Sequence, residues 1–213
     1  MPWGLLLLII LVLGFLSSCL GVNADIALNN DNSGTISLEY RISGLFDSLG
    51  KLDGSEGRPP LPVGRIDMER TIERLPGMKL LSYSSKDDKN DRIISARLQF
   101  ADMETLLAFL DAAGEKAVYA NAGGKQKLTF TLGKGLHNMN PDLKSLIDQI
   151  SSGYRFGIKM NFNSPGTAAL LDTDGRTIQG LADIQSPGKT VSCSVPMGEI
   201  LAAEKGLILE FQW

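Results

Sequence analysis

Two cysteines, one histidine and a scatter of carboxylates are the side chains from which chemistry would have to be built. The histidine, His137, stands in Gly135-Leu136-His137-Asn138-Met139 with no cysteine or carboxylate cluster beside it. That spacing supplies neither a zinc site nor a base paired with a nucleophile, and it reads as a solvated loop histidine. Cys193 alternates with Val191 and Val195 on an apolar face, the setting of a buried, inert thiol. Asn29-x-Asp31-x-Ser33-Gly34 opens like a calcium loop, but its twelfth position is Tyr40 where a bidentate glutamate is needed. In Asp172-x-Asp174-Gly175 the glycine comes too early. Both segments read as hairpin turns. Gly123-Gly124-Lys125 and Gly133-Lys134-Gly135 lack the spacing and the following Ser or Thr of a phosphate loop. Asp87, Asp88 and Asp91 belong to a charged, solvated turn. No catalytic residue, metal ligand or cofactor is assigned, and the expectation is that the protein is not an enzyme.

The other cysteine has a different neighbourhood. An apolar run from Gly4 to Leu16 leads into Leu16-Ser17-Ser18-Cys19: an aliphatic residue, two small residues, then cysteine. This is the pattern of a lipobox, in which the thiol takes a diacylglycerol and the chain is cut between Ser18 and Cys19. The run Trp3–Leu16 is too short to span a bilayer core comfortably, and extending it to Val22 gives a marginal uncleaved span. Residues 2–18 hold no Lys or Arg, so only the amino terminus is positive ahead of the apolar run. The intact lipobox and the polar sequence from Asn23 favour a cleaved signal (residues 1–18), acylation of Cys19 with fatty acids such as palmitate, and a short tether (residues 19–24).

The 213 residues are enough for one sizeable core, and the net charge of −3 argues against nucleic acid or a polybasic grip on lipid. With Cys19 acylated, only Cys193 remains, so no disulfide is available within the chain.

Several segments must position whatever the protein does. Ala24–Asn29 reads as a strand, and Gly34–Ser43 as a second, with Ile36, Leu38, Tyr40 and Ile42 on one face. Asn30–Gly34 supplies the turn between them. A helical turn is expected around Leu45, Phe46 and Leu49, then an irregular Pro/Gly loop, Gly50–Gly64. Asp67 caps a helix reaching Leu75, and Lys79–Ser84 pairs with Arg92–Phe100. Asp102 caps a helix carrying Met103, Leu106, Leu107 and Leu110. Ala117–Asn121 and Lys127–Leu132 form a hairpin, and Asn140-Pro141 starts a further helix closed by Gly153. Tyr154–Asn163 is the clearest strand, followed by Ala168–Leu171, Thr177–Leu181 and Thr190–Val195. A short helix at Met197–Ala203 leads to a strand, Leu207–Trp213, whose aromatic end reads as an edge or core strand and not as a barrel strand. The expected fold class is α+β, one or more mainly antiparallel twisted sheets of hairpins with three or more amphipathic helices packed on one side, over residues 25–213.

Cys19 followed closely by Asp25-Ile26-Ala27-Leu28-Asn29, and then Ser33-Gly34-Thr35-Ile36-Ser37-Leu38, resembles bacterial lipoproteins with an LppM-type domain. The resemblance covers residues 19 to about 160, and residues 161–213 complete or extend the domain. It implies an envelope-anchored α/β domain with no known reaction and contact with lipid or glycolipid. The reading is therefore a lipid-anchored envelope protein, on the cell membrane or outer membrane, that acts as a non-catalytic binding module. Docking of an envelope protein partner is the alternative, and the Gly50–Gly64 loop is the candidate contact loop. Cys19→Ala is expected to leave an uncleaved precursor that incorporates no labelled fatty acid; labelling equal to wild type refutes the anchor.

Overall fold

The computed structural model describes residues 20–43, 64–89, 91–112, 116–133, 145, 151–203 and 205–213. Ser18, Cys19, His137, the turn around Leu45, the Gly50–Gly64 loop up to residue 63, and all but residues 145 and 151–153 of the helix expected from Asn140 lie outside them.

The alternating segments form strands, as their period demands. In order they are β1 (Leu20–Leu28), β2 (Gly34–Ser43), β3 (Met78–Asp88), β4 (Asp91–Phe100), β5 (Lys116–Ala122), β6 (Lys125–Leu132), β7 (Arg155–Asn161), β8 (Thr167–Leu171), β9 (Asp183–Gln185), β10 (Thr190–Pro196) and β11 (Leu207–Gln212). The helices among the described residues are α1 (Arg65–Glu73), α2 (Met103–Ala112) and α3 (Met197–Ala202). A seven-stranded sheet has the order β3-β4-β2-β1-β7-β10-β9, and a four-stranded sheet has the order β5-β6-β11-β8. Neighbouring strands are antiparallel except β1 and β7, which run parallel.

This corrects the expected fold class. Among the described residues the protein is mainly β, eleven strands in two sheets with three short helices, and not a sheet packed on one side by three or more amphipathic helices. Alternation marks an apolar face without saying whether a helix or a second sheet covers it. Leu128, Phe130 and Leu132 of β6 and Leu207, Leu209 and Phe211 of β11 turn into the core, so a second sheet supplies apolar surface that helices were expected to supply. Two boundaries also move. β1 begins at Leu20, so residues 20–24 belong to a strand paired with β2 and are not a tether. Thr177–Leu181 is no strand; it contributes one bridge, Thr177 to Leu171, and the strand lies further on at Asp183–Gln185.

Local chemistry explains the turns and caps. Asp31 Oδ1 accepts from the Ser33 N–H at 3.0 Å and from the Ser33 hydroxyl at 2.7 Å, which tightens the β1–β2 turn through Asn32 at φ 63°. Asp102 Oδ1 accepts from the Thr105 N–H at 2.7 Å and so caps α2; those bonds hold its carboxyl below the ordinary carboxylate range. Asp67 does not cap α1. The helix starts two residues earlier behind Gly64, and Asp67 sits inside its first turn.

Both sheets contribute to one core. Ile26, Ile36, Leu98 and Met160 are fully buried in the large sheet, and Leu128, Phe130, Leu209 and Phe211 in the small one. Aromatic rings join the layers: Phe162, just after β7, stacks on Trp213 at 4.5 Å and lies 6.5 Å from Phe211. Gly34 faces this core, where an added Cβ would meet the Ala27 carbonyl and come within 2.6 Å of the Phe100 ring.

Two substitutions test the packing. Gly34→Ala should destabilise by about 1–3 kcal/mol, since ring and carbonyl must move apart. Ile158→Asp buries an unpaired carboxylate and should abolish cooperative folding, at a cost of about 4 kcal/mol or more. Thermal melts check both, and an unshifted melt for either refutes the assigned packing.

Candidate functional site

A strand with one face in the core presents the alternate residues on the other. In the large sheet those residues line a concavity of about 670 Å³. Strand register places them in rows. One row runs Ser84, Ser95, Glu39, Asn23, Gly157, Ser194 and Asp183, from β3 across to β9. The next runs Ser82, Arg97, Ser37, Asp25, Lys159, Ser192 and Gln185. Six of these fourteen residues are serines, which keeps the trough shallow-walled and rich in small hydroxyls. Beneath it the same strands send Leu38, Ala96, Ile158 and Cys193 into the core, so the trough has a rigid floor.

The two halves of the trough differ in how their polar groups are occupied. On the β1–β7–β10 side most of them, Asn23 and Ser192 apart, are engaged within the protein. Lys159 Nζ donates to Asp25 Oδ2 at 2.9 Å, and Asn161 Nδ2 donates to Asp25 Oδ1 at 2.7 Å. Thr190 Oγ1 donates to Asn161 Oδ1 at 3.0 Å. Arg155 reaches the Ser194 hydroxyl at 2.7 Å, the Ser194 carbonyl at 3.0 Å and Asp183 at 2.6 Å. The Asn23 amide lies over Gly157, in the space that a Cβ there would occupy.

On the β2–β4–β3 side the corresponding groups are unengaged. Among the described residues the side chains of Arg97, Glu39, Ser37, Ser82, Ser84 and Ser95 have no hydrogen-bond or ion-pair partner. Arg97 is exposed, flanked across the row by Ser37 and Ser82. Glu39 is exposed one row away, beside Ser95. A guanidinium offers donors, a carboxylate offers acceptors, and each hydroxyl serves as both. The arrangement suits a ligand with several hydroxyls or mixed polar groups.

Other segments considered for chemistry do not converge on the trough, except one. Asp172 Oδ1 accepts from the Asp174 and Arg176 N–H groups at 2.9 and 2.8 Å, and so is engaged in its own turn. The Asn29–Gly34 segment is the β1–β2 turn, at the end of the trough's strands. Cys193 lies under the trough floor, 2% exposed, with burial pushing its thiol pKa up to about 11. The trough residues themselves carry only a weak sequence signal: serine at alternate positions in two strands, Ser82/Ser84 and Ser192/Ser194, and Ser95 two residues before Arg97.

No family model matches the chain, and no curated protein matches it. Among solved structures it is similar to the NMR structure of the folded domain of the LppM protein of Mycobacterium tuberculosis. That likeness has a TM-score of 0.46 at 14% identity and covers 92% of this chain and 90% of that one. It is a likeness of overall shape; the trough, the lipobox and any ligand stand outside it.

The burial of Cys193 generates a direct test. At pH 8 its thiolate is scarce, so alkylation should proceed only as fast as the protein opens. Mass spectrometry of iodoacetamide-treated protein should find Cys193 unmodified until denaturant is added; prompt labelling in buffer refutes the burial.

Proposed function

We propose that the chain is a lipid-anchored envelope lipoprotein whose domain is a non-catalytic binding module for the polar headgroup of a lipid or glycolipid. The observation that carries this reading is the unengaged half of the trough, with Arg97, Glu39 and four serine hydroxyls on a rigid floor. A volume of about 670 Å³ lies in the range of small-molecule sites. The exposed chemistry is polar, which favours a headgroup over an acyl chain. Geometry supports the same reading: β1 starts at Leu20, one residue after Cys19. Acyl chains on Cys19 would bring that end of the sheet to the lipid surface, with Asp25 roughly 17 Å further along the strand. Headgroups of the surrounding membrane then lie within reach of the trough.

The test uses the full chain in detergent. Native mass spectrometry is expected to find a copurified polar lipid, and titration with water-soluble headgroup saccharides is expected to give saturable heat. Arg97→Ala and Glu39→Gln should each weaken binding about tenfold or more, because each removes a charge-assisted hydrogen bond, while leaving the melting temperature unchanged. Protein that copurifies with no lipid and binds envelope lipid equally well in both variants would sink this reading. The role of docking an envelope protein would then lead.

A further inference from the structure

The open half of the trough has a charge pattern set by strand register. Glu39 stands opposite Ser95, and Ser37 stands opposite Arg97, so these residues of β2 and β4 mark the corners of a square. Carboxylate and guanidinium occupy one diagonal, and two hydroxyls occupy the other. Diagonal neighbours on an antiparallel pair lie roughly 7–8 Å apart, and both charged side chains are exposed. They do not meet. Among the described residues neither has a hydrogen-bond or ion-pair partner.

The surrounding charges leave them unneutralised. Arg41, two places along β2 from Glu39, donates to Asp91, and Lys159 donates to Asp25. Lys79 and Lys86, exposed and without ion-pair partners among the described residues, both belong to β3, on the side of Arg97 away from Glu39. The square is therefore positive towards β3 and negative towards β1, with hydroxyls between. A purely anionic ligand would be repelled by Glu39. A neutral saccharide would hydrogen-bond to both charges and neutralise neither. A ligand that carries both signs, spaced to lie along the diagonal, complements both ends.

We infer, on the reading of the trough as a headgroup site, that its ligand is a zwitterion: a phosphodiester joined through two carbons to a primary ammonium, as in a phosphoethanolamine headgroup. Arg97 takes the phosphate through its forked N–H donors, with the Ser37 and Ser82 hydroxyls on either side. Glu39 accepts from the ammonium, and the Ser95 hydroxyl beside it is a further acceptor. The remainder of a lipid hangs from the phosphate, so it leaves the trough on the β3 side. A quaternary ammonium has no N–H to give Glu39 and is held by aromatic faces; no corner of the square is aromatic.

The experiment uses the full chain in detergent and two matched sets of probes. Calorimetry compares glycerophosphoethanolamine, glycerophosphocholine and glycerophosphoglycerol, and native mass spectrometry compares the phospholipids that carry those headgroups. Wild type should prefer the ethanolamine member of a set by about tenfold, the effect of one charge-assisted hydrogen bond. Glu39→Gln should abolish that preference by weakening the ethanolamine member, while binding of the glycerol member holds or tightens. Arg97→Ala should weaken all three. Melting temperatures matching wild type establish that both variants fold. Retained phosphatidylethanolamine identifies a lipid as the source, and saturable heat from the soluble headgroup with no lipid retained identifies a free phosphodiester; either supports the zwitterion. Equal affinity across the three headgroups overturns it, as does a Glu39→Gln variant that keeps the wild-type preference. Preferential binding of a phosphate-free glycolipid overturns the zwitterion and leaves headgroup binding standing, whereas a chain that binds no headgroup and retains no lipid removes both.

Discussion

The parallel pairing of β1 with β7 is the constraint on which the rest of the large sheet depends. β1 is hydrogen-bonded on both sides, antiparallel to β2 and parallel to β7, so it sits at the centre although it begins the described chain. Parallel neighbours cannot be joined by a tight turn, and here the described residues between them build β2 to β6 and two helices before the chain returns. That long excursion lets two antiparallel blocks, β3-β4-β2 and β7-β10-β9, meet along one seam. The seam carries its own locks. Lys159 and Asn161 both bind Asp25 across it, and the Asn23 amide fits over Gly157 because glycine leaves the space. Exposed ion pairs of this kind contribute about 0–1 kcal/mol each, so their effect is on register more than on stability.

The same seam divides the trough by how its polar groups are occupied. Most of the polar groups beside it are spent on one another, which fixes the positions of Asp25, Asn161 and Arg155. Polar groups away from it, on β2, β4 and β3, are fixed by strand geometry alone and stay open to solvent. Strand backbones underlain by buried Leu38, Ala96 and Leu98 hold them in place without consuming their hydrogen-bonding capacity. A site built this way is preorganised at little cost in ligand-induced ordering.

Packing supplies the stability, since Cys193 is the one cysteine among the described residues and is reduced. The chain passes between the sheets repeatedly: from β4 through α2 to β5, back to β7, out to β8, back to β9 and β10, and out through α3 to β11. Phe162 lies at one of these passages, and its stacking on Trp213 ties the end of β7 to the end of β11. Phe211, edge-on to Phe130 at 6.0 Å, carries the contact into the small sheet. Because the layers share one core, loosening either sheet exposes the apolar face of the other.

Much of the local structure is legible from sequence. Gly34–Ser43 alternates cleanly and is β2 to the residue, and the turn chemistry of Asp31 and the cap at Asp102 follow from residue types at short spacing. The apolar faces of β4, β6, β7 and β11 are likewise written in their period-two patterns. Alternation tells which side of a strand is buried, but not which strand lies beside it or which layer covers it. The early start of β1 at Leu20, its parallel union with β7, and the second sheet that replaces expected helices were decided only when all apolar faces were packed together. The trough was decided there too. Asn23, Asp25, Glu39, Arg97 and Lys159 are scattered over more than half the chain, and nothing local distinguishes them from ordinary solvent-facing residues. Tertiary structure made them neighbours by setting four strands in register, which is a property of the sheet and not of any strand.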